Sequence, residues 1–342
     1  MPSRSSIPLV RLSLLMPFVQ ELDRRGVNTN AVLAANGVIR GSLLDNSVFV
    51  TPITVHRFLE DAAHAANDRY FGVHVGESLD WTGWMPVLEA ATKSRNLAGF
   101  LVRFIRAVGS EASSARHELD IGSEYAVFKE RRTTEQEIAP AQNDAFTATY
   151  ILSMLCKAAG DVWDPGKVRL TVCDPKALPK RYLGTHIMGG DRMGVSVRFP
   201  SAWLLEQFNR KSFLKVDQGQ AKQQEMPVQF LDALRHVTFQ HLDAGPLDLA
   251  STAKLVGISK QSLQRRLRAN GTTISSVIRE LKKQKAIEAL LHTDQPISEI
   301  ATALQFTSPT SFTRAFKTWT GVSPREYRKS CRDQSTSPRR FS

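Results

Sequence analysis

Leu249–Gly271 (LASTAKLVGISKQSLQRRLRANG) and Ile297–Gly321 (ISEIATALQFTSPTSFTRAFKTWTG) decide the architecture, because each repeats the other. Ala253 matches Ala301, Ile258 matches Phe306, Leu263 matches Phe312, Leu267 matches Phe316 and Gly271 matches Gly321, at separations of 48 to 50 residues. Each copy predicts a short helix, a tight turn and a second helix opened by a capping hydroxyl. The cap is Ser259 in the first copy and Thr307 or Ser308 in the second. The short helices bury Ala253 and Val256, or Ala301 and Leu304, and the small alanine lets the second helix cross closely above. This is a helix-turn-helix pattern, present twice.

The second helices are two-faced. Leu263 and Leu267 in one, and Phe312 and Phe316 in the other, point inward at a spacing of four. Gln261, Gln264, Arg265 and Arg268 then fall at i, i+3, i+4 and i+7, a single outward stripe. Thr310, Thr313, Arg314 and Lys317 form its counterpart, and Lys260 and Ser308 at the two helix openings complete the candidate set. The chemistry suits a DNA major groove: Arg grips guanine O6 and N7 with two bonds, Gln pairs with an adenine edge, and Thr offers a hydroxyl or meets a thymine methyl. A solvated helix face normally mixes both signs; the first stripe has Arg and Gln without Glu. Between the copies, the apolar residues Ile274, Val277, Ile278, Leu281, Ile287, Leu290 and Leu291 predict a helix over Ile274–Leu291 that joins the units and sets their spacing. Two reading helices on one side of a duplex would enter successive major grooves about 10 bp apart.

Charge agrees. The 342 residues carry a net charge of +12. From Met226 onward there are 18 Lys and Arg against 9 Asp and Glu, or +9, which leaves +3 for residues 1–225. A basic module attached to a nearly neutral one points to a polyanionic partner. Hydrophobic content of 42% and charged content of 23% exclude a mainly disordered chain. The length predicts two domains or slightly more. The most apolar early stretch, Ile7–Val19, is broken by Arg11 and Pro17 and lacks a small-residue cleavage site, so neither a membrane span nor a secretory signal is expected. Cys156, Cys173 and Cys331 are odd in number and far apart, which argues against a disulfide framework or cysteine zinc site and fits a reducing cytoplasm.

Working outward, Leu12–Arg25 reads as an amphipathic helix ended by Gly26. Asn28 or Thr29 caps a short helix through Ala31–Ala35, Thr54 caps a third carrying Val55, Phe58 and Leu59, and Leu97–Val108 is a fourth. The period then changes. Glu124–Arg131, Lys167–Cys173 and Met193–Phe199 read as strands, with a long apolar helix over Asp144–Ala159 between the first two. The expected fold is therefore an α+β N-terminal domain over 1–208, with helices first and mixed helix and sheet after. A polar linker over 209–226 rich in Gln (Gln218, Gln220, Gln223, Gln224) follows. An all-α C-terminal domain of two helix-turn-helix units and a linker helix occupies 227–330, and a disordered basic tail 331–342.

The run Ile297–Arg328, with its I-x-x-I-A opening, F-x-R-x-F-K centre and G-x-S-P-x-x-Y-R close, resembles the DNA-binding domain of AraC-type transcription regulators. Two departures stand out. Gln305 occupies the place before the turn aromatic where the family usually has Gly, which puts the turn geometry in question. Lys282 and Lys285 stand where the family commonly shows Arg, exchanging a fork of donors for a point charge. The stretches Leu14–Gly37 and Tyr70–Ser78 (YFGVHVGES) look like the arabinose-binding-like N-terminal domain of the subgroup with a helical start. That resemblance implies a small-molecule effector and self-association of the N-terminal domain, with RNA polymerase as a partner on DNA.

Other chemistry is thinly supported. The eight histidines, His236 and His241 or His56 and His64 among them, lack a matching Cys or acidic cluster at metal spacing, so no metal or cofactor is expected. Phosphate-cradling GxxxxGK[ST] and GxGxxG patterns and the GxSxG elbow are missing. Gly189, Gly190 and Gly194 read as a turn between strands, and Trp81 and Trp84, flanking Gly83, as core aromatics or a pocket wall. The expectation is a non-enzymatic, cytoplasmic regulator of transcription responding to an effector. The alternatives are a ligand-independent regulator controlled by abundance or a protein partner, and a DNA-acting enzyme with a methyl-accepting cysteine at Cys156 or Cys173.

Overall fold

The computed structural model describes residues 7–45, 47–79, 81, 84–109, 112–135, 137–208, 230–242 and 245–329. The expected linker at 209–226, the tail at 331–342 with Cys331, and Gly83 lie outside them. The chain divides into two compact units, one within residues 8–226 and one made mainly of residues 227–342. Among the described residues no helix is long and apolar enough to cross a membrane.

The first unit opens with a two-stranded antiparallel pair, β1 (Val10–Arg11) against β2 (Phe49–Val50). Between and after these strands come α1 (Met16–Arg24), α2 (Thr29–Ala35), α3 (Pro52–Ala65), α4 (Phe71–Ser78), α5 (Met85–Lys93) and α6 (Leu97–Val108). Two sequence expectations shift here. The helix placed over Leu12–Arg25 begins as a 3₁₀ turn at Leu12–Leu15, and the α-helix starts only at Met16 with Pro17 in its first turn, where a missing N–H does no harm. Thr54 caps nothing: Pro52 opens α3, and the Thr51 and Thr54 hydroxyls lie 3.3 Å apart. Asn28, rather than Thr29, caps α2 by accepting from the Ala31 amide. Asn96 caps α6 by accepting from Gly99 at 2.9 Å.

A five-stranded sheet follows, in the order β3 (Ala115–Ile121), β4 (Tyr125–Arg132), β7 (Gly194–Pro200), β5 (Arg169–Val172) and β6 (His186–Gly189). All neighbours run antiparallel except β5 and β6. The glycine-rich loop after β6 does carry the chain into β7, although the two strands are not sheet neighbours. Gly194 is required there, because a Cβ would fall 1.8 Å from the Glu130 carbonyl oxygen. Two strands of this sheet carry no strand signal in the sequence, and neither do the two-residue β1 and β2. β3 (ARHELDI) is an edge strand that sets Arg116, Glu118 and Asp120 on one face against Ala115, His117, Leu119 and Ile121 on the other, but none of these is fully buried and His117 breaks the apolar side, and β6 is only four residues long.

Helix α7 (Ala141–Ala159) packs on the sheet, burying Ile151, Leu152 and Leu155 against Val197, Phe199 and Leu170. It also receives α4. Gly72 and Gly76, four apart, flatten the face of α4, and a Cβ at Gly72 would lie 2.3 Å from the Gln142 carbonyl oxygen. The first turn of α7 is fastened to the sheet by a buried ion pair between Arg132 and Asp144, and Asp144 also accepts from the Cys173 amide at 2.9 Å. A second core gathers Phe18, Leu22, Phe58, Leu59 and Phe71 from the helical start.

Candidate nucleic-acid interface

The second unit is all helix among its described residues: α8 (Phe230–Gln240), α9 (Leu249–Leu255), α10 (Lys260–Ala269), α11 (Ile274–His292), α12 (Ile297–Ala303), α13 (Pro309–Thr320), and a further helical stretch over 324–329. Local chemistry sets the ends. Asp248 and Ser251 form a reciprocal capping box on α9, with the Ser251 amide donating to Asp248 at 2.7 Å. Ser259 caps α10 by accepting from the Ser262 amide at 3.1 Å. On α13 the cap is Ser308, not Thr307, and it pairs reciprocally with Ser311. Gly321 closes α13 in the left-handed region.

Each reading helix lies as its apolar spacing requires. Leu263 and Leu267 are buried under α10, and Phe312 and Phe316 under α13, while Ala253, Val256, Ala301 and Leu304 are buried in the preceding helices. The opposite face of α10 is open: Lys260, Gln261, Gln264, Arg265 and Arg268 are all exposed. On α13, Thr310, Arg314 and Lys317 are exposed, whereas Thr313 and Ser308 are half-buried. Their hydroxyls are engaged locally. Thr313 donates to the Pro309 carbonyl at 2.9 Å, and Ser308 accepts from Ser311 as the cap. Neither helix contains Asp or Glu, so each outer face carries positive charge without internal neutralisation.

Arg266 behaves differently from its neighbours. Its guanidinium lies 5.6 Å from the Phe230 ring centroid, and burial, with Arg265 nearby, lowers its pKa. The two linker-helix lysines also lie over rings: Lys282 Nζ is 5.1 Å from Phe306 and Lys285 Nζ is 5.3 Å from Phe239. Burial lowers the pKa of Lys282. Each lysine thus lays a charge over a ring, so these two side chains pack within the unit as well as carrying charge.

The turn with the unusual Gln305 keeps a glycine-like backbone. Gly257 in the first copy has φ +65°, and Gln305 at the equivalent place has φ +60°. Its side chain compensates by donating from Nε2 to the Leu242 carbonyl at 2.8 Å. The sequence marks the residue but not this anchor, which lies 63 positions away. Lys254, Arg325 and Lys329 are further exposed cations of the same unit, outside the candidate set because their only sequence signal is their charge. Among the described residues, no three His, Cys, Asp or Glu side chains gather as a metal group would need.

A helix-turn-helix domain model matches residues 252–330, and the model for the arabinose-binding domain of AraC transcription regulators matches residues 26–206, more than half of the chain. The fold and site thus define a helix-turn-helix protein with a separate sensor-type domain. The chain belongs to the AraC family of transcription regulators.

Among its relatives, the ornithine utilization regulator of Pseudomonas aeruginosa is 39% identical over 82 residues, 24% of this chain and 24% of that protein. The right origin-binding protein of Escherichia coli is 41% identical over 91 residues, 26% of this chain and 31% of that protein. The chain thus spans about a quarter to a third of the length of these curated relatives. Among solved structures, the DNA-binding domain of the global transcriptional factor AdpA in complex with a target DNA aligns with a TM-score of 0.28 at 23% identity, over 32% of this chain and 97% of that one. The transcriptional regulator CdpR of Pseudomonas aeruginosa aligns with a TM-score of 0.38 at 15% identity, over 88% and 96%.

Proposed function

We propose that this chain is a sequence-specific DNA-binding regulator that performs no catalysis and works in the cytoplasm. In this reading α10 and α13 enter successive major grooves of one duplex, with Lys260, Gln261, Gln264, Arg265 and Arg268 on one helix and Ser308, Thr310, Thr313, Arg314 and Lys317 on the other as the contact set. The observation that carries it is the exposed, acid-free outer face of each reading helix above a buried apolar one. Arg265, Gln264 and Arg314 suit base edges. Lys254, Arg325 and Lys329 suit phosphates, which position the protein without reading sequence. Ser308 serves chiefly as the cap, and Thr313 offers its methyl because its hydroxyl is engaged. The N-terminal unit senses a small molecule and mediates self-association, and RNA polymerase is the partner at the promoter.

Two observations count against the methyl-acceptor alternative. Burial and the adjacent Asp144 push the Cys173 thiol far up, and burial pushes up Cys156, so both are poor nucleophiles at neutral pH. The test is binding of the purified chain to duplexes tiled across its own upstream DNA, repeated between about 50 and 200 mM salt. One segment should be preferred over shuffled duplex, and affinity should fall roughly a thousandfold or more if six or more phosphates are contacted. Equal binding to every duplex, or a flat salt response, would refute the proposal.

A further inference from the structure

The first unit encloses a cavity of about 370 Å³ bounded by α1, α3, α7, β3 and β4, within the range of small-molecule sites. Much of its wall is aromatic. Phe18, Trp81, Trp84, Phe146 and Tyr150 all line it. Trp81 lies 5.2 Å from Phe146 and 5.3 Å from Tyr150, and Trp84 lies 5.8 Å from Tyr150, between ring centroids. The two tryptophans therefore pack against the core and form a pocket wall at once.

At one side of this aromatic lining stands a carboxylate. Glu130 accepts from the Tyr150 hydroxyl at 2.9 Å, and His117 Nε2 lies 3.3 Å away. The other oxygen carries a longer 3.5 Å bond from the Thr147 hydroxyl, so it keeps acceptor capacity. Burial pushes the carboxyl up, but the His117 bond, the nearby Arg132 charge and the Tyr150 bond outweigh burial and hold it near 2, ionised at neutral pH. Arg132 also lines the cavity, but it is committed to Asp144 and to the Arg192 carbonyl. Tyr150 is thus spent on Glu130, His117 Nε2 lies 2.8 Å from the Tyr150 hydroxyl as well, and what this side of the cavity offers an occupant is an ionised acceptor set among ring faces.

We propose that this cavity takes a small organic ammonium. Its amine meets Glu130 and its apolar or aromatic body lies among Trp81, Trp84 and Phe146. This inference rests on the reading of the N-terminal unit as the effector-sensing part of a DNA-binding regulator, and it names the effector's chemical class. Aromatic faces stabilise a desolvated cation, and the carboxylate supplies a charge-assisted hydrogen bond. A carboxylate ligand would meet the Glu130 anion with its donors already engaged. A pentose would place several hydroxyls on a wall that is largely apolar, with Ser13, Ser114 and Asn143 too few to satisfy them all.

The test uses the full chain and four probes: phenethylamine, its neutral analogue phenethyl alcohol, the anionic hydrocinnamate, and L-arabinose. Calorimetry should rank the amine above the alcohol by about tenfold to a hundredfold, the worth of one hydrogen bond to a charged group. Hydrocinnamate and arabinose should bind more weakly than the amine. Glu130→Gln, near-isosteric and still able to accept from Tyr150, should erase the preference of amine over alcohol by weakening the amine far more than the alcohol. Trp84→Leu should weaken both. The unmodified chain's ranking stands alone as a test should either variant misfold. Hydrocinnamate or arabinose binding as tightly as the amine, or no probe binding at millimolar concentration, overturns the proposal. DNA preference is measured on the same samples. If it persists while the amine ranking fails, only the ligand class is wrong; if it is missing, the regulator reading itself fails.

Discussion

The two helix-turn-helix units follow one backbone plan but hold it together differently. Under α10 the packing is aliphatic, from Ala253, Val256, Leu263 and Leu267. Under α13 it is aromatic: Phe306 lies 5.4 Å from Phe312, Phe312 lies 5.7 Å from Phe316, and Phe316 lies 5.5 Å from Tyr327. The outer faces differ in the opposite sense. Five long polar or cationic side chains stand free on α10, while α13 presents Arg314, Lys317 and Thr310 beside hydroxyls used to hold the helix itself. A duplicated unit can thus diverge into one copy rich in reading groups and one rich in footing. Edge-to-face rings add about 0.5–1.5 kcal/mol per pair beyond their buried area, so the second copy is expected to be the stiffer.

The sharpest way to break this contrast is to empty each core in turn. Phe316→Ala removes a fully buried ring and should cost about 3–5 kcal/mol, and Leu267→Ala about 2–5 kcal/mol. Amide hydrogen exchange localises the damage. Phe316→Ala should accelerate exchange in α12 and α13, and Leu267→Ala in α9 and α10. Should either variant loosen both units equally, α11 couples them into a single cooperative block and the comparison of footing loses its meaning.

Next in size is the loss of a reading group. Arg265→Ala and Arg314→Ala should each weaken binding to the preferred duplex by about 1–3 kcal/mol and relax base preference in one half-site only. Footprints of the two variants should therefore fade at different ends of the site. If either variant keeps an unchanged ratio of preferred to random duplex, its helix is not the reader. Unequal losses would show which copy carries more of the discrimination, and the fuller face of α10 predicts the larger one for Arg265.

Much of this was legible in the chain itself, for a physical reason. The two reading helices of the second unit are amphipathic with hydroxyl caps, so a 3.6 spacing and a few hydroxyls reveal their faces: Leu263 with Leu267, Ser259, Gly321. In the sheet the same reading worked for β7, where Val195, Val197 and Phe199 alternate inward. It failed for β3, an edge strand whose inward side is interrupted by His117 and nowhere fully buried, and for α4, whose glycines signal close approach only once α7 is known to lie against them. Of the cavity, the sequence marks only Trp81 and Trp84, as core aromatics or a pocket wall, and the rest stays hidden for a related reason. Glu130, Tyr150 and Trp84 come from β4, α7 and the start of α5, and no spacing in sequence announces that they meet.

The smallest effect lies in the two turns, and it separates strain from anchoring. Gly257 adopts φ +65° with open space where a Cβ would stand, so Gly257→Ala should cost about 1–2 kcal/mol from the left-handed backbone alone. Gln305 already bears that cost and offsets part of it with its bond to the Leu242 carbonyl, worth about 0.5–1.5 kcal/mol net. Gln305→Ala keeps the strain and loses the bond, so it should lower the thermal midpoint. Gln305→Gly loses the bond but relieves the strain, and the greater freedom of an unfolded glycine takes back about 0.4–1 kcal/mol, which leaves it near the parent. The expected order of stability is parent, then Gly, then Ala. A Gln305→Ala variant as stable as the parent would mean that the bond to Leu242 contributes nothing, and that this copy tolerates its strained turn through the aromatic packing beneath it.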